Sequence, residues 1–245
     1  MAGGKGTRLR PFTNILPKPL VPIGEMSILE LVLRQLKSCG FEEIVIAVGH
    51  KADLIMAVIG DGSRMGLKIR YHMEEQPLGT LGALATIEDL DENFLVMNGD
   101  ICTNLDFSQL YQAHVDSGEM VSVSTFPRRE RIELGVLQLN DDMDRVCGFE
   151  EKPVHNFYVS MGVNAFHRTV LDIIPQKVFF GFDHLMESLL EQSIAIHAYR
   201  FHGVWHDIGR PDDYQRVLDE FEKTPSIYLP EEETELQTLP FRRAA

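Results

Sequence analysis

Gly3-Gly4-Lys5-Gly6-Thr7-Arg8-Leu9-Arg10-Pro11, continued by Leu16-Pro17-Lys18-Pro19, is the stretch from which the rest of the chain is read. Three glycines in four positions let the backbone bend sharply and approach a ligand with no Cβ in the way. Lys5, Arg8, Arg10 and Lys18 interleave with them, and no acidic residue precedes Glu25. Backbone N–H groups in a tight turn, together with arginine and lysine, make a phosphate cradle. The stretch is not a Walker A loop, which needs Gly-x4-Gly-Lys-Ser/Thr. Nor is it a dinucleotide fingerprint, because Leu9 stands where the third glycine belongs. The plain alternative is a glycine-rich turn with solvated cations. Pro17 and Pro19 weigh against it, since they restrict the backbone on both sides of Lys18 and aim its charge.

The surrounding composition makes this cationic opening stand out. The chain has 245 residues and a formal net charge of −14, which argues against general binding to nucleic acid or to an anionic membrane surface. Hydrophobic residues make up 44%, enough for one large α/β domain with a sizeable core. Cys39, Cys102 and Cys147 are widely spaced and odd in number, as expected of thiols in a reducing compartment rather than a disulfide frame. No apolar run approaches membrane-spanning length and no charged leader precedes an apolar core, so the expectation is a cytoplasmic protein.

Strand and helix signals alternate from there. Ser27 and Glu30 have the spacing of a capping box ahead of a helix ending near Gly40. Apolar runs at 43–48, 67–73 and 94–97 read as strands, and 52–59 and 80–90 as helices. A helix over 107–114 and a strand over 120–126 continue the alternation, which predicts βαβ units in a doubly wound, Rossmann-like sheet with helices on both faces. Residues 128–166 change character. Strands at 134–139, 145–150 and 158–166, with turns at Asn140-Asp141-Asp142 and Val154-His155-Asn156, predict a mixed sheet or a small β-rich lid. Helix 185–191, strand 194–201 and helix 212–222 follow. Residues 1–223 are expected to form the domain, and 224–245, with Glu231-Glu232-Glu233 among three prolines, a weakly structured acidic tail.

Two carboxylates are placed to do chemistry. Asp100 follows Asn98-Gly99 at the C-terminal end of an apolar strand, where a carboxylate can hold Mg²⁺ against nucleotide phosphates; an Asx turn reads equally well. Asp207, in Trp205-His206-Asp207-Ile208-Gly209, is the second, with a turn cap as its alternative. His202 and His206 are four apart, but Gly203 and strand-like neighbours set a helical zinc pair aside.

The opening stretch, with Pro17-Lys18-Pro19-Leu20-Val21-Pro22, resembles the signature of the sugar-1-phosphate nucleotidylyltransferases, the nucleotide-sugar pyrophosphorylases. Further resemblance runs through Glu74-Glu75-Gln76-Pro77-Leu78-Gly79-Thr80, Asp100, Glu151-Lys152-Pro153 and Asp207, in wording closest to mannose-1-phosphate guanylyltransferases. It implies transfer of a nucleotidyl group from an NTP, by preference GTP, to a sugar 1-phosphate, a hexose such as mannose 1-phosphate. Uridylyl, thymidylyl and cytidylyl transfer, and a non-catalytic regulatory subunit, are the rivals.

By the same resemblance Gly3, Gly4, Gly6 and Thr7 bind the nucleotide, with Glu74, Gln76, Pro77, Gly79 and Thr80 around its base. Arg8, Lys18 and Asp100 are catalytic, and Asp100 and Asp207 hold Mg²⁺. Gly135, Glu151, Lys152, Ser160 and Asn164 take the sugar phosphate, although Ser160 stands where guanylyltransferases carry asparagine. Pro153 is expected to hold Lys152 extended. The family also has a first strand ahead of its glycine turn; only Met1-Ala2 stand there, so that strand is expected to be truncated. Homo-oligomerisation stays open.

Overall fold

The computed structural model describes residues 1–4, 6–74 and 76–229. It is a mixed α/β structure. The glycine-rich opening and a 3-10 turn at Lys18–Leu20 lead into a two-residue hairpin, β1 (Pro22–Ile23) and β2 (Met26–Ser27). Helix α1 (Ile28–Ser38) starts at Ser27, whose hydroxyl accepts from the Glu30 N–H at 3.1 Å. Only half of the expected capping box forms, because the Glu30 carboxylate turns along the helix to Arg34 at 2.8 Å. Strand β3 (Glu43–Val48), helix α2 (Ala52–Ile59) and strand β4 (Lys68–Met73) make a βαβ unit, β3 and β4 pairing in parallel.

Helix α3 (Gly79–Leu84) is shorter than the predicted 80–90. The Thr86 hydroxyl bonds back to the Ala83 carbonyl at 2.7 Å and stands 2.8 Å from His72 Nε2, local bonding that competes with the helical ladder. After β5 (Asn93–Met97), β6 (Ile101–Thr103) and α4 (Phe107–Ser117) comes the long strand β7 (Val121–Arg131). A hairpin of β8 (Gly135–Leu139) and β9 (Val146–Glu151) follows, then β10 (Val154–His167). Val154-His155-Asn156, predicted as a turn, is the first part of β10 and pairs with Arg131, Glu130 and Arg129. The turn lies one step earlier, at Lys152-Pro153. Helix α5 (Phe182–Glu191), β11 (His197–Arg200), β12 (Trp205–Asp207) and α6 (Pro211–Lys223) complete the order.

The sheet is less parallel than the alternation suggested. Its four-stranded part runs β11-β7-β10-β5, with β10 antiparallel to both neighbours and β11 parallel to β7. β10 enters that way because the chain returns from the hairpin instead of crossing over a helix. Helices do cover both faces. Leu95, Met97 and Val163 pack with α1 and α4, whereas Phe94, Val96 and Phe166 pack with α3 and α5.

β3 and β5 are not paired to each other. Met1 and Ala2 lie between their C-terminal ends: the Ala2 N–H donates to the Ala47 carbonyl (2.8 Å), the Met1 amino group to the Met97 carbonyl (2.7 Å), and the Gly99 N–H to the Met1 carbonyl (2.9 Å).

The boundary drawn at 223 moves outward. Pro225–Ile227 forms a 3-10 turn, and Tyr228 and Leu229 are buried against α6 and α1, the Tyr228 carbonyl accepting from Gln35 Nε2 at 2.7 Å. Two apolar anchors were masked by the acidic composition around them. The remainder of the expected tail lies outside the described residues.

Candidate active site

The glycine-rich opening and the loops at the C-terminal ends of β4 and β5 bound a cleft of about 610 Å³, at the edge where open α/β sheets receive ligands. Gly6 starts its cationic wall in a left-handed conformation (φ 58°), and the Leu9 N–H donates back to its carbonyl at 3.0 Å. A Cβ at Gly6 would lie 3.0 Å from the Lys18 Cβ and 3.1 Å from Thr13 Cγ2, so only glycine fits both the angle and the space. The resulting turn carries Arg8 into the cleft while Leu9 is buried in the core.

Lys18 enters from the Pro17–Pro19 segment. Its ammonium is 2.6 Å from Asp100 Oδ2 and 4.0 Å from Asp207 Oδ1. The two aspartates, 107 residues apart in sequence, meet because β12 pairs antiparallel with β6 and sets Asp207 opposite Ile101. Asp207 is 58% exposed and Asp100 22%, so the pair opens towards solvent on the Asp207 side. Arg8 belongs to the same cluster: a Cβ built on Gly209 would be 3.5 Å from Asp207 Oδ2 and 3.6 Å from Arg8 Nη1. A cation already sits between the two carboxylates in the form of the Lys18 ammonium. The donor set, two carboxylates of which one is solvent-facing, suits Mg²⁺, which takes few protein oxygens and keeps water and phosphate oxygens. No group of three or more metal-ligating side chains occurs among the described residues.

Glu74 forms the opposite wall. Its N–H continues the β3–β4 ladder to the Val48 carbonyl at 2.8 Å, and its carboxylate lies over Gly3, where a Cβ would come within 2.6 Å of Oε1. Burial pushes the Glu74 carboxyl up, against the opposing pull of the Met1 ammonium. Gly3, Gly4, Pro77, Gly79 and Thr80 also line the cleft. Gly79 has φ 75° and lies so close to the Phe180 carbonyl that a Cβ would be 2.9 Å away. Ser160 and Asn164 line the far side at the irregularity in the β7–β10 register. Asn164 is buried, and its Oδ1 has no hydrogen-bond partner among the described residues.

Not every expected residue reaches this cleft. Gly6, Thr7 and Gln76 are adjacent to lining residues without lining it. Gly135, Glu151 and Lys152 stand on the outer hairpin, where Gly135 pairs with Glu151 across β8 and β9. Lys152 is not extended: it has φ 48°, because it is the turn residue that reverses β9 into β10. Conversely, Asn98, Gly162, Phe179, Phe182 and Trp205 line the cleft and were not singled out. Gly162 has φ 74° and packs on Asn98, and the Trp205 indole N–H donates to the Met161 carbonyl at 3.0 Å. Trp205 alone carried a signal, as the one tryptophan beside a candidate metal ligand.

Known proteins similar to this chain identify its family. The chain is 31% identical over 239 residues to a UTP–glucose-1-phosphate uridylyltransferase from Synechocystis, covering 89% of this chain and 61% of that protein. It is 32% identical over 222 residues to a mannose-1-phosphate guanylyltransferase from Mycobacterium tuberculosis, covering 88% and 62%. The chain thus spans about three fifths of the length of these relatives. Among solved structures, HddC from Yersinia pseudotuberculosis complexed with GMP-PN superposes with a TM-score of 0.69 at 25% identity, covering 90% of this chain and 96% of that one. The nucleotidyl transferase family matches residues 1–224, and the chain belongs to that family of enzymes.

Proposed function

We propose that the chain transfers a nucleotidyl group from an NTP to a sugar 1-phosphate, giving an NDP-sugar and pyrophosphate. The observation that carries the reading is the meeting of Arg8, Lys18, Asp100 and Asp207 on one cleft whose other wall carries Glu74, Pro77, Gly79 and Thr80. An oxygen of the sugar phosphate attacks the α-phosphorus in line, the P–O bond to pyrophosphate breaks, and the electron pair leaves with it. The nucleophile is already ionised near neutral pH, so the protein supplies position and charge rather than a base. Arg8 binds the departing pyrophosphate. Lys18 exchanges part of its contact with Asp100 for the phosphate at the reacting centre. Asp100 and Asp207 would hold Mg²⁺, which supplies charge neutralisation and alignment of phosphate oxygens when bound.

Gly3 and Gly4 let the phosphates approach the backbone, and Asn164, with Ser160 beside it, takes hydroxyls of the sugar. Gly135, Glu151 and Lys152 complete the sugar site only if the hairpin moves towards the cleft.

GTP is the proposed donor. Guanine presents two adjacent N–H donors, which match the two acceptor oxygens of a carboxylate, and Glu74 lines the cleft whereas Gln76 does not. The Mycobacterium and Yersinia relatives support this choice; the Synechocystis uridylyltransferase is the reason to test it. Pyrophosphate release with Mg²⁺ from each NTP paired with mannose, glucose and other hexose 1-phosphates decides it. Release with GTP and a hexose 1-phosphate is expected. Release with UTP instead reassigns the base, and release with no pair overturns the transferase reading.

A further inference from the structure

Three phenylalanines stand together in Phe179-Phe180-Gly181-Phe182, and the fold treats them differently. Phe180 is buried in the core that α3 and α5 share, and Phe182 packs against the same core. Phe179 lies outside it: the residue is 61% exposed, yet it lines the active-site cleft. A single exposed apolar side chain is ordinary on a protein surface. What sets Phe179 apart is how firmly it is held, and against what.

Its segment is clamped onto the wall that carries Glu74, Pro77, Gly79 and Thr80. The Phe180 N–H donates to the Leu78 carbonyl (2.8 Å), and the Phe180 carbonyl accepts from the N–H groups of Leu81 (3.1 Å) and Gly82 (2.9 Å). Two glycines make room for this approach. A Cβ at Gly82 would lie 2.7 Å from the Val178 carbonyl oxygen, and one at Gly79 would lie 2.9 Å from the Phe180 carbonyl oxygen and 3.3 Å from Phe179 Cε2. Gly82 sits inside α3, where glycine weakens a helix relative to alanine, so the close approach is kept at a cost in local stability. The ring is steadied as well. His184 meets it in a T-shaped contact with centroids 5.9 Å apart, and His184 Nδ1 accepts from the Gly181 N–H at 2.9 Å.

Each part of a bound nucleotide finds different chemistry in the cleft. Phosphates suit the cations Arg8 and Lys18, and hydroxyls suit Ser160 and Asn164; a phenyl ring has neither charge nor hydrogen-bonding group to offer them. A nucleobase presents a flat π face besides its edge, and the Glu74 carboxylate is matched to the edge alone. We propose that Phe179 stacks on the nucleobase, supplying affinity for the base without choosing which base is bound. The proposal deepens the function given above and rests on that reading of the cleft as an NTP site. Stacking tolerates any base because every base has a π face, whereas hydrogen bonds to the edge discriminate. Affinity for the base and selection of the base thus fall to two residues, Phe179 and Glu74.

The test is binding, measured by calorimetry with Mg²⁺ on the 245-residue chain and on Phe179→Ala, Phe179→Leu and Phe179→Tyr. The probes are GTP, UTP and inorganic tripolyphosphate. Phe179→Ala and Phe179→Leu are expected to weaken GTP and UTP by about tenfold each and tripolyphosphate by less than about twofold, with Phe179→Tyr within about threefold of the parent. The GTP:UTP ratio is expected to move by less than about threefold in all of them, because the edge contacts are untouched. Parent affinity for GTP in Phe179→Ala overturns the proposal. Parent affinity in Phe179→Leu overturns it too, by reducing the ring to apolar bulk. An equal loss for tripolyphosphate also overturns it, since the phosphate site has then been displaced. Binding is read without turnover, so a chain that binds GTP and releases no pyrophosphate fails the transferase reading while the same affinities still decide the role of Phe179.

Discussion

The Lys18 ammonium stands 2.6 Å from the Asp100 carboxylate, in a pair that is mostly shielded from water and opens to the cleft through Asp207. In a partly desolvated site an ion pair is a strong device for placing charge, and losing one partner leaves the other uncompensated. Lys18→Ala is therefore expected to lower turnover by orders of magnitude, about a hundredfold or more, while far-UV circular dichroism stays unchanged. Pyrophosphate release checks it. Turnover near that of the parent chain would remove Lys18 from the reacting centre.

Asp207 separates metal binding from charge pairing. It is 4.0 Å from Lys18 and largely exposed, so Asp207→Asn breaks no buried pair and should leave Tm within about 1–2 °C. If Asp207 holds Mg²⁺ with Asp100, the concentration of Mg²⁺ giving half-maximal rate should rise by about tenfold or more. A lowered rate with unchanged Mg²⁺ dependence would instead make Asp207 an electrostatic residue.

Much of this site was legible because its residues mark themselves locally. Gly6 and the Pro17-Lys18-Pro19 segment restrict backbone in ways that sequence displays, and Asp100 follows directly on a strand. The partnership of Asp100 with Asp207 could not be read from either residue, since it arises from the β6–β12 register. Phe179 and Phe182 carry no pattern at all, and reach the cleft because Gly79 and Gly82 let the chain at Val178–Phe180 approach closely. In the fold, α1, β3 and α2 were readable from periodicity and caps. The antiparallel entry of β10 was not, since strand polarity follows from how the chain returns through the hairpin.

Gly6→Ala tests the coupling of the glycine turn to Lys18. The left-handed φ of 58° disfavours alanine, and the new Cβ would press on the Lys18 Cβ at 3.0 Å. The expected cost in stability is about 1–2 kcal/mol. Turnover should fall further than KM rises, because the lysine aimed at the reacting centre is displaced. Gly118→Ala is the control, since it carries the same left-handed strain (φ 66°) away from the cleft, with nothing among the described residues within 4 Å of its added Cβ.

Cys102 and Cys147 should differ sharply towards alkylating agents. Burial, with Asp100 and Glu220 nearby, pushes the Cys102 thiol up to about 12, and its side chain is enclosed beneath α6. Cys147 lies exposed on the outer hairpin. At pH 8 only about one Cys102 thiol in 10⁴ would be ionised even if reagent could reach it. A rapid iodoacetamide adduct at Cys147 is expected in native protein by peptide mass mapping, with Cys102 modified only in denaturant. Rapid native modification of Cys102 would show that the α6 layer opens.

Glu74 sets the base preference if the carboxylate meets guanine. Glu74→Gln replaces one acceptor by a donor and would place an N–H against an N–H of the base. The selectivity of kcat/KM for GTP over UTP is expected to drop by about a hundredfold, because a site built around hydrogen bonds penalises a mismatched pair heavily. The pH profile gives a second readout. Burial raises the carboxyl above its usual value, so the folded state holds this proton to higher pH than the unfolded chain. Protonation adds a donor and removes the anionic pair of acceptors, so guanine use should fail on the acid side at a pH above the ordinary carboxylate range, and UTP use should fail less. A GTP:UTP ratio unchanged both by Glu74→Gln and by acid would take base selection away from Glu74.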